Sequence, residues 1–166
     1  MLASRTLLFL TLAGASGATF AAEAGDPPPP AVFVSKAAQD GMTEVELGKI
    51  ALTKSKDAQV RAFAQRMVTD HGKANTELAG IAKRKGIDAP KKLDAEHQDM
   101  VKKLSSQEGE AFDVDYSRHM NMDHTKAVEL FEAASQSADA DLAGFAKKTL
   151  PTLQEHKQMA SKLPGQ

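Results

Sequence analysis

From Ala31 onward apolar residues return every three or four positions, and nowhere does the chain alternate apolar and polar residues as a half-buried strand would. Ala, Leu, Lys, Glu, Gln and Met dominate this region, a mixture that favours helix. The pattern predicts four long amphipathic helices over about 32–54, 57–85, 107–135 and 139–162, with a short helix over about 92–104. Gly86, with Pro90 beyond it, stops the second long helix, and Ser105-Ser106-Gln107-Glu108 has the form of a capping box that opens the third. Long helices with short links predict an all-α, antiparallel four-helix bundle, with a short extra helix between helices 2 and 3.

Two stretches of the pattern repeat each other. "FAQRMVTDHGKANTEL" from Phe63 and "YSRHMNMDHTKAVELF" from Tyr116 place an aromatic, a Met, Asp-His and Lys-Ala on one register. The buried stripe of the second long helix reads Val60, Phe63, Met67, His71, Ala74, Leu78, and that of the third reads Tyr116, Met120, His124, Ala127, Phe131. In the fourth, Leu142, Phe145, Thr149, Leu153, His156 and Ala160 share a stripe. Three helices thus send one histidine each toward the core, each preceded by an acid at the flank of that face: Asp70, Asp123 and Glu155.

Imidazole ligates divalent transition metals, and bundle interiors build such sites from facing helices. His71, His124 and His156 are therefore candidate metal ligands, and the first helix can add a carboxylate through Glu44, on the stripe of Ala37, Gly41 and Gly48, or through Glu46. Three His and one Glu suit zinc, iron or manganese. Met67, Met120 and Met159, each about one turn from a histidine, would bring in copper. The plainer alternative is three core histidines, each hydrogen-bonded to a neighbour such as Asp70, Asn75, Tyr116 or Asp123. His97, in a charged stretch, and His119, which aligns with Arg66 in the repeat, are expected at the surface. Pro151 interrupts the fourth helix pattern and is expected to bend or break it just before His156.

The N-terminus changes the cellular setting. Arg5, an apolar run from Leu7 to Ala13 and then small residues form a secretory signal peptide over 1–24, with cleavage after Ala21 or Ala24. A proline-rich spacer follows over 25–31, and the bundle domain over 32–163. The apolar run is far shorter than the roughly 20 residues a membrane span needs. The expected location is outside the cytoplasm, in the periplasm. The sequence has no Cys, which removes disulfides and thiolate chemistry. A formal net charge of −1 with mixed signs gives no footprint for nucleic acid. No nucleophile motif, glycine-rich phosphate loop or HExxH pair is present, so no residue is assigned a catalytic role.

"EVELGKIAL", "VRAFAQRMVTDHGKANTEL", "FDVDYSRHMNMDHTKAVELF" and "FAKKTLPTLQEH" together resemble the exported bacterial domain of unknown function catalogued under the number 4142, often labelled an outer-membrane protein. The resemblance implies a ferritin-like bundle, export and association with the outer membrane. It implies no activity. Ferritin-like di-iron sites use Glu-x-x-His on two helices, and this sequence lacks that motif in all four long helices.

Two functional readings follow. In the first, an exported helical bundle binds a metal or handles it during envelope stress. In the second, it is a metal-free structural or protein-interaction module of the periplasm. The sequence names no protein partner and no oligomeric state.

Overall fold

The computed structural model describes residues 25–166; the signal peptide expected over 1–24 lies outside them. Among the described residues there are helices and no strands. They are α1 (Pro30–Lys54), α2 (Ala58–Arg66), a π-helical turn (Met67–His71), α3 (Gly72–Lys85), α4 (Ala95–Ser105), α5 (Gly109–Ala134) and α6 (Ala140–Ala160).

Local chemistry sets the ends. Pro30 opens α1, since proline's fixed φ suits a first helical turn and its missing N–H has no partner to lose there. Asp57 Oδ1 accepts from the amides of Gln59 and Val60, Asp94 from His97, and Asp139 from Leu142, capping α2, α4 and α6. α3 ends where Gly86 takes φ +67° and the Ile87 amide donates back to Ala82 O at 2.9 Å. The capping box expected at Ser105 does not form. Ser105 is the last residue of α4 and its hydroxyl donates to Lys102 O, while α5 begins after Glu108 with no side-chain cap.

Two apolar clusters give the helix directions. The upper one joins Phe33, Val34, Leu78, Ile81, Phe131, Leu142 and Phe145; the lower joins Leu47, Val60, Phe63, Met67, Phe112, Tyr116, Met120 and Ala160. α1 and α6 run from the upper cluster to the lower, and α2–α3 and α5 run the opposite way. α1 packs against α2–α3 and α5, and α6 against α5, α3 and α2. Every neighbouring pair in the four-membered ring is antiparallel. α2–α3 and α5 consequently run parallel, which requires the chain to return along the bundle between them. α4 sits in that return and packs on α1 and α5. A bundle with one long crossover is the ferritin-like arrangement.

The crossover explains the repeat. Because α2–α3 and α5 run parallel, matching sequence lands at matching height: Met67 and Met120 in the lower cluster, Ala127 in the upper with Ala74 against it, and His71 and His124 between. Phe63 and Tyr116 meet edge to face with centroids 6.3 Å apart. The π turn is the difference between the two copies and left no trace in the apolar spacing. Pro151 lies within α6, which stays helical through it to Ala160.

Candidate metal centre

Between the two apolar clusters lies one polar layer: Glu44 from α1, His71 from the π turn, His124 from α5 and His156 from α6. Glu44 is 2% exposed, His71 6%, and His124 and His156 0%. α1 comes close enough to deliver Glu44 because of two glycines flanking it. A Cβ on Gly48 would lie 3.0 Å from the carbonyl oxygen of Ala64, and one on Gly41 would overlap the Asn75 side chain. That close face of α1 is the one that carries Glu44. Glu46 points away, half exposed, and its carboxylate pairs with Lys49 at 3.6 Å.

The three imidazoles form a nearly regular triangle, with centroids 5.3, 5.4 and 5.5 Å apart. The Phe63 ring meets His124 and His156 edge to face, at 5.9 and 6.3 Å. Each imidazole has one nitrogen anchored outside the triangle. Nδ1 of His71 lies 2.8 Å from Glu44 Oε2. Nδ1 of His124 donates to the Met120 carbonyl at 2.8 Å, and Nε2 of His156 donates to Asp70 Oδ2 at 3.1 Å. A carbonyl or carboxylate oxygen only accepts, so these nitrogens carry the protons. The other nitrogen of each ring, Nε2 of His71, Nε2 of His124 and Nδ1 of His156, is buried and has no hydrogen-bond partner. Glu44 Oε1 is likewise unpartnered, 3.4 Å from His124 Nε2 without hydrogen-bond alignment.

Buried polar atoms without partners are uncommon, and here one layer holds four. The three histidines each offer a ligand nitrogen within 4.8 Å of the others, so together they could hold a metal ion. A metal about 2.1 Å from three nitrogens holds them roughly 3.3 to 3.6 Å apart, so separations of up to 4.8 Å would have to shorten by up to about 1.5 Å. A cavity of about 20 Å³ beside Glu44 and His71 shows that the layer is not fully packed. Anchoring the far N–H of each histidine to a carboxylate or carbonyl is how metal-ligating imidazoles are oriented.

The two Asp-His dipeptides end differently. In the π turn Asp70 reaches the histidine of another helix, His156, and is also 3.5 Å from Arg66 Nε. In regular α5, Asp123 stays on its own helix, 2.9 Å from His119 Nε2. His119 is 9% exposed, contrary to the surface position its repeat register implies. His97, also expected at the surface, is partly buried between Asp94 and Asp40. Glu155 faces outward and pairs with Arg66 at 2.6 Å. Met67 and Met120 belong to the packing of the lower cluster.

Burial opposes charge in this layer, and neighbours decide the outcome. For Glu44 burial is outweighed by His71 and His124, which hold its pKa down to about 2. Burial of His71 is outweighed by Glu44, so its pKa is raised. His156 is pushed down to about 4 by burial and by His71 and His124, which together outweigh Asp70. These shifts favour a charged Glu44–His71 pair beside a neutral His156.

A pH prediction follows. In an unfolded chain histidine titrates near 6.5. Between about 6.5 and 4 the unfolded chain binds a proton that native His156 refuses, so His156 lowers stability as pH falls. His71 acts oppositely: its contribution is fully present below about pH 6.5 and disappears as pH rises through its raised value. Asp40, pushed up to about 6 by burial and Glu44, also favours the native state toward acid. Comparing parent with His156→Gln removes the Asp40 contribution and most of that of His71, leaving the His156 contribution together with its coupling to His71. From pH 6.5 to pH 5 the parent should lose about 1 to 2 kcal/mol relative to the variant, read by chemical denaturation in the presence of chelator. A parent-to-variant difference that is flat across this range would mean that His156 is not held neutral.

Two comparisons place the chain among known proteins. Over 82% of its length it superposes on 95% of a chain described as the crystal structure of a DUF305 fragment from Deinococcus radiodurans, with a TM-score of 0.69 and 19% sequence identity. At that identity the likeness shows a shared helical fold. No curated protein matches the sequence. A family model described as "Domain of unknown function (DUF4142)" matches residues 15–163, nearly the whole chain, and the chain belongs to that family.

Proposed function

We propose that this is an exported protein whose bundle binds one transition-metal ion on His71 Nε2, His124 Nε2 and His156 Nδ1, with Glu44 Oε1 as a fourth donor. The observation that carries the reading is the set of three buried nitrogens, each without a partner and each backed by an anchored N–H on the far side of its ring. Three nitrogens and one oxygen suit zinc, iron or manganese; copper would draw on the neighbouring methionines. Export is supported by the leader-like N-terminus, and metal handling in the stressed cell envelope is the role that joins the two.

Metal analysis of protein purified without an affinity tag and dialysed against each metal tests this. The parent should retain about one ion per chain, and a His71→Gln His124→Gln variant should retain none. Equal retention by both, or none by the parent, would leave the metal-free module. One observation favours that rival: the Glu44–His71 pair already supplies a partner for one buried charge on each side.

A further inference from the structure

Four side chains form a closed run of contacts where α2 and the π turn meet α6. The Arg66 guanidinium grips Glu155 with both of its end nitrogens, Nη1 to Oε1 at 2.6 Å and Nη2 to Oε2 at 3.1 Å, and Nη1 also lies 3.6 Å from Met159 Sδ. Two parallel hydrogen bonds fix the plane of a guanidinium as well as its place. Its Nε donates to Asp70 Oδ2 at 3.5 Å, and the same oxygen accepts from His156 Nε2 at 3.1 Å. Glu155 and His156 are neighbours in the chain, so the contacts return to the helix on which they began. The other copy of the repeat supplies a contrast. His119 stands at the register of Arg66 and Asp123 at that of Asp70, and these two pair with each other at 2.9 Å, whereas His124 of that copy is anchored by the Met120 carbonyl instead.

We propose that Arg66 is a positioning residue of the buried centre: clamped by Glu155, it holds the Asp70 carboxylate against His156 and so keeps the ligand nitrogen of that ring turned toward His71 and His124. The inference rests on the reading of these three histidines as a metal centre. Half a turn of the His156 ring about its bond to Cβ would put carbons where its two nitrogens stand. The hydrogen bond to Asp70 therefore selects the setting in which the unpartnered Nδ1 faces inward. Asp70 itself sits at the rim, its side chain 26% exposed, where water competes for the carboxylate. Arg66 ties it down, and the grip on Glu155 places that tie before any metal binds.

The test is the zinc Kd of the full chain, measured by competition with a chromophoric chelator. Asp70→Asn should weaken binding about 10- to 100-fold, the scale set by residues that orient a ligating histidine, and Arg66→Gln about tenfold, the low end of that range. The double variant should bind no more weakly than Asp70→Asn alone, because Arg66 acts through Asp70. Asp123→Asn, at the matching position of the repeat, should bind as the parent does. Circular dichroism checks the fold, and if Asp70→Asn is unstable the same cycle is run with Arg66→Gln and Glu155→Gln, whose losses should likewise not add. A parent-like Kd for Arg66→Gln, or losses that add in the double variant, would overturn positioning by Arg66 while leaving the inner centre intact. An Asp123→Asn loss as large as that of Asp70→Asn would overturn it too, by reducing the effect to one negative charge near the layer. A parent that takes up no zinc would instead sink the metal centre itself, and this inference with it.

Discussion

Zinc added to chelator-treated protein at a thousandfold excess over its Kd should raise the free energy of unfolding by about 4 kcal/mol, and chelator should reverse the gain. The size follows from mass action, because the unfolded chain has no preformed site and binding free energy becomes folding free energy. The layer proposed to receive the ion is a polar interruption of the core. It separates two apolar clusters and holds three unpartnered nitrogens and an unpartnered carboxylate oxygen. A metal held by the histidines would satisfy all three nitrogens at once, with Glu44 Oε1 as the proposed fourth donor. The His71→Gln His124→Gln variant should show no zinc-dependent gain. A gain of equal size in that variant, read by chemical denaturation at pH 7.5, would place the zinc elsewhere.

Replacing Glu44 is the second large effect. Glu44 carries a buried negative charge held by His71 at 2.8 Å, and His71 owes its raised pKa chiefly to that carboxylate. Glu44→Ala removes the partner and opens a hole in the middle of the bundle. The expected loss is about 3 to 5 kcal/mol in the metal-free protein, the usual scale for breaking a buried pair. Glu46→Ala, two residues away, removes a half-exposed carboxylate facing Lys49 and should change stability by less than about 0.5 kcal/mol. Denaturation of the two variants side by side distinguishes the two acids the sequence offered. Equal losses would mean that Glu44 is no more integrated than a surface residue.

The sequence made the helices readable because amphipathic spacing is a local consequence of one buried face, and the three histidines sit on that spacing. The parallel run of α2–α3 and α5 was not readable from spacing, because it depends on where α4 carries the chain. The π turn was hidden for a related reason: the apolar stripe keeps its three- and four-residue spacing across Met67–His71, where Asp70 meets His156. Asp70 anchors His156, whereas the equivalent Asp123, in regular helix, pairs with His119. The choice between Glu44 and Glu46 was within reach, since Gly41 and Gly48 mark the face of α1 that lies closest to its neighbour. The spacing along α5 does not reveal the burial of His119, because residues of α1 and α4 share its surroundings.

The position of the ion decides between the two readings, and a crystal of zinc-loaded protein, with anomalous difference density measured on both sides of the zinc edge, locates it. One strong peak is expected inside the bundle, about 2.0 to 2.1 Å from His71 Nε2, His124 Nε2 and His156 Nδ1 and within bonding distance of Glu44. An empty triad, with zinc density only at surface groups, would contradict it.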